Sequence, residues 1–102
     1  MKVVITQAAY ADLIDIGDYI ARDNPTRAIT FVDELEQRCR LIRDHPEAAP
    51  VLPDHRDRAI RRAVHGRYCI FYRIRTDMIE ILHVLNAARD IDRLLLDIPE
   101  EP

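Results

Sequence analysis

Four histidines, two cysteines and fourteen arginines are the side chains of this 102-residue chain that could do chemistry. Their spacing decides which chemistry. His45, His55, His65 and His83 never fall four apart on one helix turn pair, and neither HxH nor HExxH occurs, so a metal site is not expected. The only glycines are Gly17 and Gly66, which rules out a phosphate-cradling glycine loop. There is no serine, and hence no serine nucleophile. Cys39 and Cys69 stand in apolar segments without a CxxC partner, as reduced core thiols do. No cofactor is expected.

Metal-free cleavage of RNA is the chemistry that remains, because RNA carries its own nucleophile in the 2′-hydroxyl. Such an enzyme needs a base, a cationic clamp on the phosphate and an acid for the leaving oxygen. Cations are plentiful. Between residues 56 and 75 lie Arg56, Arg58, Arg61, Arg62, Arg67, Arg73 and Arg75 against Asp57 alone, seven minus one or +6, in a chain of net charge −3. Arginine favours bidentate recognition of carboxylate or phosphate. A solvated polar face on a hairpin accounts for the same residues, and both readings stay open. The acid is scarcer. His83 lies inside the last apolar run, and nothing after it is His, Tyr, Lys or Cys. A catalytic reading therefore rests on Arg61 with His83 as an improvised acid. A strand histidine is more commonly structural or part of an interface.

The elements that position these residues follow from periodicity. Residues 3–6, "VVIT", read as a strand. Tyr10, Leu13, Ile14, Gly17, Ile20 and Ala21 then recur at helical spacing, with Thr6 as cap and Asp12, Asp15 and Asp18 mostly off the stripe. "DNP" stops that helix and starts another, with Asn24 as N-cap and Pro25 at the first helical position. Ala28, Phe31, Val32, Leu35, Cys39 and Ile42 form its stripe, and "DHP" ends it at residues 44–46. Residues 46–58 hold three prolines and no period, as a loop does.

From there the period is two. Residues 59–64, 67–74 and 78–86 read as strands, with turns at "HG" and "TD". On the middle strand Tyr68, Ile70, Tyr72 and Ile74 share one face, with Cys69, Phe71 and Arg73 on the other. Two apolar faces and one helical layer suggest a partner over the second face. Residues 94–96 could form a helical turn. The order β-α-α-β-β-β predicts an α+β fold, a two-helix hairpin packed on a small antiparallel sheet. It makes one domain over residues 1–98 with a short acidic tail at 99–102. No apolar run approaches the roughly 20 residues of a membrane span. The first residues are too short for a signal-peptide core, so a cytoplasmic protein is expected.

"LIDI" at residues 13–16, "HPEAAP" at 45–50, "IRRAVHGRYCIFYRI" at 60–74 and "IEILHVLNAARD" at 79–90 together resemble the ParE/RelE superfamily of type II toxins. The resemblance implies a compact toxin held inactive by an adjacent antitoxin, whose C-terminal segment wraps helices and sheet. An acidic, amphipathic segment would suit the second apolar face and the arginines. RelE-like members cleave mRNA on the ribosome, and ParE-like members inhibit DNA gyrase. RelE-like members carry a phosphate-contacting arginine where this chain has Cys69. They also have a tail tyrosine or histidine that this chain lacks, although Arg89 is retained. ParE-like members often carry a histidine where Asn86 stands.

The ParE-like branch is therefore the expectation: a non-catalytic gyrase poison, neutralised by a ParD-like antitoxin in a hetero-oligomeric complex. DNA would be contacted only through that complex. Arg61, Arg62, Arg67, Tyr72, Arg73, Arg89 and Asp90 are the candidates for the functional surface, Arg62 and Arg89 foremost. A ribosome-dependent endoribonuclease and a non-toxic antitoxin-binding module are the alternatives.

Overall fold

A computed structural model describes residues 1–88. Its elements are β1 (Lys2–Ile5), α1 (Gln7–Ala21), α2 (Pro25–Leu41), β2 (Arg61–His65), β3 (Tyr68–Ile74) and β4 (Met78–Asn86). The order is the expected β-α-α-β-β-β. The sheet order is β1-β4-β3-β2; β2, β3 and β4 are antiparallel neighbours, and β1 joins β4 in parallel. A parallel partner needs a crossover, and the helical hairpin supplies it.

The local signals act as their chemistry requires. Thr6 Oγ1 accepts the Ala9 amide at 3.2 Å, and Asn24 Oδ1 accepts the Arg27 amide at 3.0 Å. Each cap satisfies one of the orphan amides of a first helical turn. Pro25 occupies the first position of α2, where it has no bond to lose. Gly66, at φ 59°, opens the two-residue β2–β3 turn, and Arg67 takes an ordinary negative φ. That combination is a type II′ hairpin turn.

The helices cover one face of the sheet. Leu13, Leu35, Ile70, Tyr72, Ile81 and Val84 are central to that core. Tyr68, Ile70, Tyr72 and Ile74 share this face as the alternation predicts, and Cys69 and Phe71 share the other. The second face corrects one expectation. It is covered by the chain itself: Leu52 and Ile60, from the segment before β2, pack on Cys69, Phe71, Leu82 and Leu85. The proline-rich stretch read as a plain loop contains a 3-10 turn over Pro53–Arg58, and Val51 bridges Arg61. Ala59, left-handed at φ 55°, ends that turn, so β2 begins two residues later than the alternation suggested.

Two further corrections concern α1. Its buried face is Ala9, Leu13 and Ile16, while Tyr10 and Ile14 are 41% and 64% exposed. Apolar residues occupy two overlapping stripes on this helix, and the sheet takes only one. Asp12, read as part of the polar face, points to the sheet. Its Oδ2 accepts the Val84 amide at 2.9 Å and lies 2.7 Å from His83 Nδ1.

The reason lies in β4. Phe71 pairs with His83 and Tyr72 with Ile81, so Leu82 is an extra residue and β4 bulges there. The bulge shifts the phase of the strand, so Ile81 and Val84 face the helices while Leu82 and Leu85 face away. Pairing with β1 ends at Ile81. Beyond it, Thr6 donates its hydroxyl to the Ile81 carbonyl at 2.7 Å, and Asp12 takes the Val84 amide. The Ile81 carbonyl also accepts the Thr6 amide at 3.2 Å, and the Val84 amide, which β1 is too short to reach, is satisfied by a side chain of the first helix.

Removing the carboxylate should be costly. Asp12→Ala is expected to lower the unfolding free energy by about 2–3 kcal/mol, since two bonds to a charged acceptor are lost. Asp12→Asn, which keeps one acceptor oxygen, should lose less. Urea denaturation checks both; a loss under about 0.5 kcal/mol would contradict the assignment.

A pH dependence follows from two buried acids. Burial pushes the Cys39 thiol up to about 12 from 9.0. Burial also raises the Tyr72 phenol. Both fold in the protonated form, so below pH 9 they have no differential effect. Above it the unfolded chain releases protons that the folded one keeps, and stability falls as pH rises. Cys39→Ala should flatten the stability profile between pH 9 and 11; an unchanged slope would refute this origin.

Candidate functional site

The arginine-rich stretch separates into buried and exposed groups. Arg61 begins β2 on the helix-facing side, opposite Tyr72. Its Nη1 donates to the carbonyls of Ala49 at 2.7 Å and Glu47 at 3.2 Å, holding the 46–50 loop to the sheet. Tyr72 is 1% exposed, and its hydroxyl donates to the Pro46 carbonyl at 2.6 Å. Arg73 is 4% exposed and lies opposite Glu80, with Nε 2.6 Å from Oε1; Arg75 reaches the same carboxylate at 3.6 Å. Three of the candidate residues are thus tied into the structure.

Arg62 and Arg67 are exposed. Arg62 projects from β2 on the face away from the helices, and Arg67 sits in the type II′ turn. Neither makes an ion pair among the described residues. Arg89 and Asp90 lie outside the described residues, as does the expected helical turn at 94–96.

The parts of a cleavage site do not converge. Arg62, Phe71 and His83 form one cross-strand row, so Arg62 and His83 stand two strands apart, about 10 Å. His83 is also engaged elsewhere, with Nδ1 2.7 Å from Asp12 Oδ2. Arg61 is on the helix-facing side, and its terminal nitrogen is engaged by the loop carbonyls.

A different feature dominates the opposite side of the helical layer. Between α1 and α2 runs a groove of about 480 Å³. Leu13, Ile14, Ala21, Ala28, Ile29 and Val32 line it, and Gly17 forms part of its floor. A Cβ at Gly17 would stand 3.2 Å from Val32 Cγ2, so glycine lets the helices approach closely there. Ile14 and Ile29 are 64% and 68% exposed, which is unusual for isoleucine. Asp18, Asp33 and Glu36 line the groove, Glu36 paired with Arg40 at 3.5 Å, and among the described residues no lysine or arginine lines it.

An open apolar trough with charged margins is the shape that an amphipathic helix fills, with anchors at i, i+3 or i+4 and i+7. Sequence reasoning missed Ile14 and Ile29 as a pair. The available signal was Ile29, which falls beside the α2 core stripe, facing the surplus apolar residues of α1.

These isoleucines contribute little to folding. Ile14→Asp with Ile29→Asp should change stability by no more than about 1 kcal/mol, as exposed substitutions do. Leu35→Ala, at a fully buried site, should cost about 2–5 kcal/mol. Parallel urea titrations check both. A large loss in the double variant would place the groove in the folding core instead.

Comparison with known proteins agrees with this architecture. One chain of a solved structure, "Chromosomal ParDE TA system from P. aeruginosa", shares the fold at a TM-score of 0.73 and 19% sequence identity. The match covers 84% of this chain and 95% of that one. No curated protein sequence matches. Residues 3–91 match the family model described as the ParE toxin of the type II toxin-antitoxin system parDE. With nearly its whole length inside that model, the chain belongs to the ParE toxin family.

Proposed function

We propose that this ParE-family toxin inhibits DNA gyrase by binding it, and that a ParD-like antitoxin neutralises it through the α1–α2 groove. The observation that carries the second part is the pair Ile14 and Ile29, two large apolar side chains exposed over a ready-made trough. Family membership supports the gyrase target. Binding rather than cutting is supported by the separation of Arg61 and Arg62 from His83. The exposed cations Arg62 and Arg67, with Arg89 and Asp90, are the candidates for the target surface. In the neutral complex the toxin occupies the antitoxin's docking segment, and DNA contact is made by the antitoxin. Asp18 and Asp33 at the groove ask for a docking helix with basic residues flanking its apolar anchors.

The Asp12–His83 pair favours one second reading. A carboxylate that holds a histidine Nδ1 also orients that ring for proton transfer in a nuclease. His83→Gln decides between them. On the binding reading the variant still arrests growth while folded; abolished arrest in a folded variant would favour the endoribonuclease.

The groove and the target separate experimentally. Ile14→Asp with Ile29→Asp should reduce antitoxin affinity at least about 100-fold, since two central anchors are lost. The same variant should inhibit purified gyrase supercoiling as the unchanged toxin does. Full neutralisation of the variant would remove the groove from the account. A lack of supercoiling inhibition by the unchanged toxin would remove gyrase.

A further inference from the structure

A pocket of about 200 Å³ lies where the end of α2, the loop after it and the helix-facing side of β2 and β3 meet. Arg38, Leu41 and Ile42 line it from the helix, His45 from the loop, and Ala63 and Tyr72 from the sheet. It shares no residue with the groove between α1 and α2.

Its charge is one-sided. Arg38 and His45 are basic, and no Asp or Glu lines the pocket; Asp44 and Glu47, the nearest carboxylates in sequence to His45, are exposed. Arg61 adds a second full charge close by, since its guanidinium binds the Ala49 carbonyl at the pocket wall. Burial raises the Tyr72 phenol, and Arg61 and Arg38 both act against that rise, so both cations stand near its hydroxyl.

Arg38 distinguishes this pocket from a packing gap. Its neighbour on α2, Arg40, is paired with Glu36 at 3.5 Å. Arg38 is half-buried, yet it makes no hydrogen bond or ion pair among the described residues. A cation in the last turn of a helix complements the helix dipole. That role needs no cavity, and it leaves the planar fork of N–H donors unspent.

Size and charge select the ligand. The volume is below the roughly 300–1,000 Å³ of sites for drug-sized molecules, which suits an anion carrying a few carbon atoms. A phosphate monoester bears about −1.5 to −2 charges at pH 7, a better match to two arginines than a carboxylate.

We propose that this pocket binds a small aliphatic phosphate monoester, its phosphate on Arg38 and His45 and its carbon chain against Leu41, Ile42 and Ala63. Arg61 contributes its charge from behind the Ala49 carbonyl. Neither the antitoxin nor gyrase enters this assignment.

The test uses the full chain, labelled with nitrogen-15, and n-propyl phosphate as the probe. Titration should shift the Ala48, Ala49 and Ala63 amides together, leave those of Ile14 and Ile29 in place, and give a Kd below about 1 mM. Arg38→Met should weaken binding at least about tenfold, as loss of a charge-assisted hydrogen bond does. Arg40→Met, which removes a cation outside the pocket, should bind as the unchanged protein does. The amide spectrum of each variant shows whether it is folded, and a ligand series on the unchanged protein needs no variant at all.

Unweakened binding by folded Arg38→Met would overturn the site, as would the absence of a saturable shift in the unchanged protein. Butyrate binding as tightly as the probe would remove the dianion argument. Inorganic phosphate binding as tightly would remove the carbon chain. Displacement of the probe by a thymidine 12-mer would make the ligand a nucleic-acid phosphodiester instead.

Discussion

Strand β4 outruns β1 by five residues, 82 to 86, and the carboxylate of Asp12 is what makes that overhang tenable. A strand whose neighbour ends early leaves amides and carbonyls without partners, and a half-buried amide without one costs about 1–3 kcal/mol. Here the first helix takes the neighbour's place. Thr6 binds the Ile81 carbonyl, caps its own helix, and stands six residues before Asp12, which binds Val84 and His83. The same contacts dock α1 on the sheet, and α2 follows through the short Asn24–Pro25 link. The position of the helical hairpin, and with it the groove, depends on this anchor.

With α1 fixed, the division of labour among its apolar residues becomes intelligible. Ala9, Leu13 and Ile16 go to the sheet, so Ile14 has only α2 and the solvent to face. Gly17 draws the two helices close at Val32, which deepens the trough between Ile14 and Ile29. Folding is complete without the groove being filled. A protein that must be captured by a partner, yet stay folded when released, needs that kind of spare surface. The arginines divide in the same way: Arg61 and Arg73 hold the interior together, and Arg62 and Arg67 stay outside.

Much of this was legible in the residues, and the failures have physical reasons. Thr6, Asn24 and Pro25 announce both helix starts because capping chemistry is local. Strand β4 spans residues 78–86 as read, because an apolar run between a turn and a polar stretch has sharp ends. The faces of β3 follow from simple alternation. The bulge at Leu82 did not show, since one extra residue inside "IEILHVLN" leaves composition untouched. Asp12 was unreadable for a related reason: at helical spacing it matches Asp15 and Asp18, and only the overhang of β4 distinguishes it. Arg73 and Glu80 become a pair only when strand register is known. The cover on the second sheet face was missed because Leu52 and Ile60 are isolated apolar residues around a proline-rich stretch, without a period to reveal them. The family was legible in the order of motifs, and the comparisons show it.

We have proposed that this toxin acts by binding gyrase and not by cutting message. The most direct measurement is the order of arrest after unopposed induction in a bacterial host, followed by incorporation of labelled thymidine and labelled methionine over the first minutes. The account predicts that thymidine incorporation stops first while methionine incorporation continues. Methionine incorporation stopping first would contradict it and move the target to the ribosome.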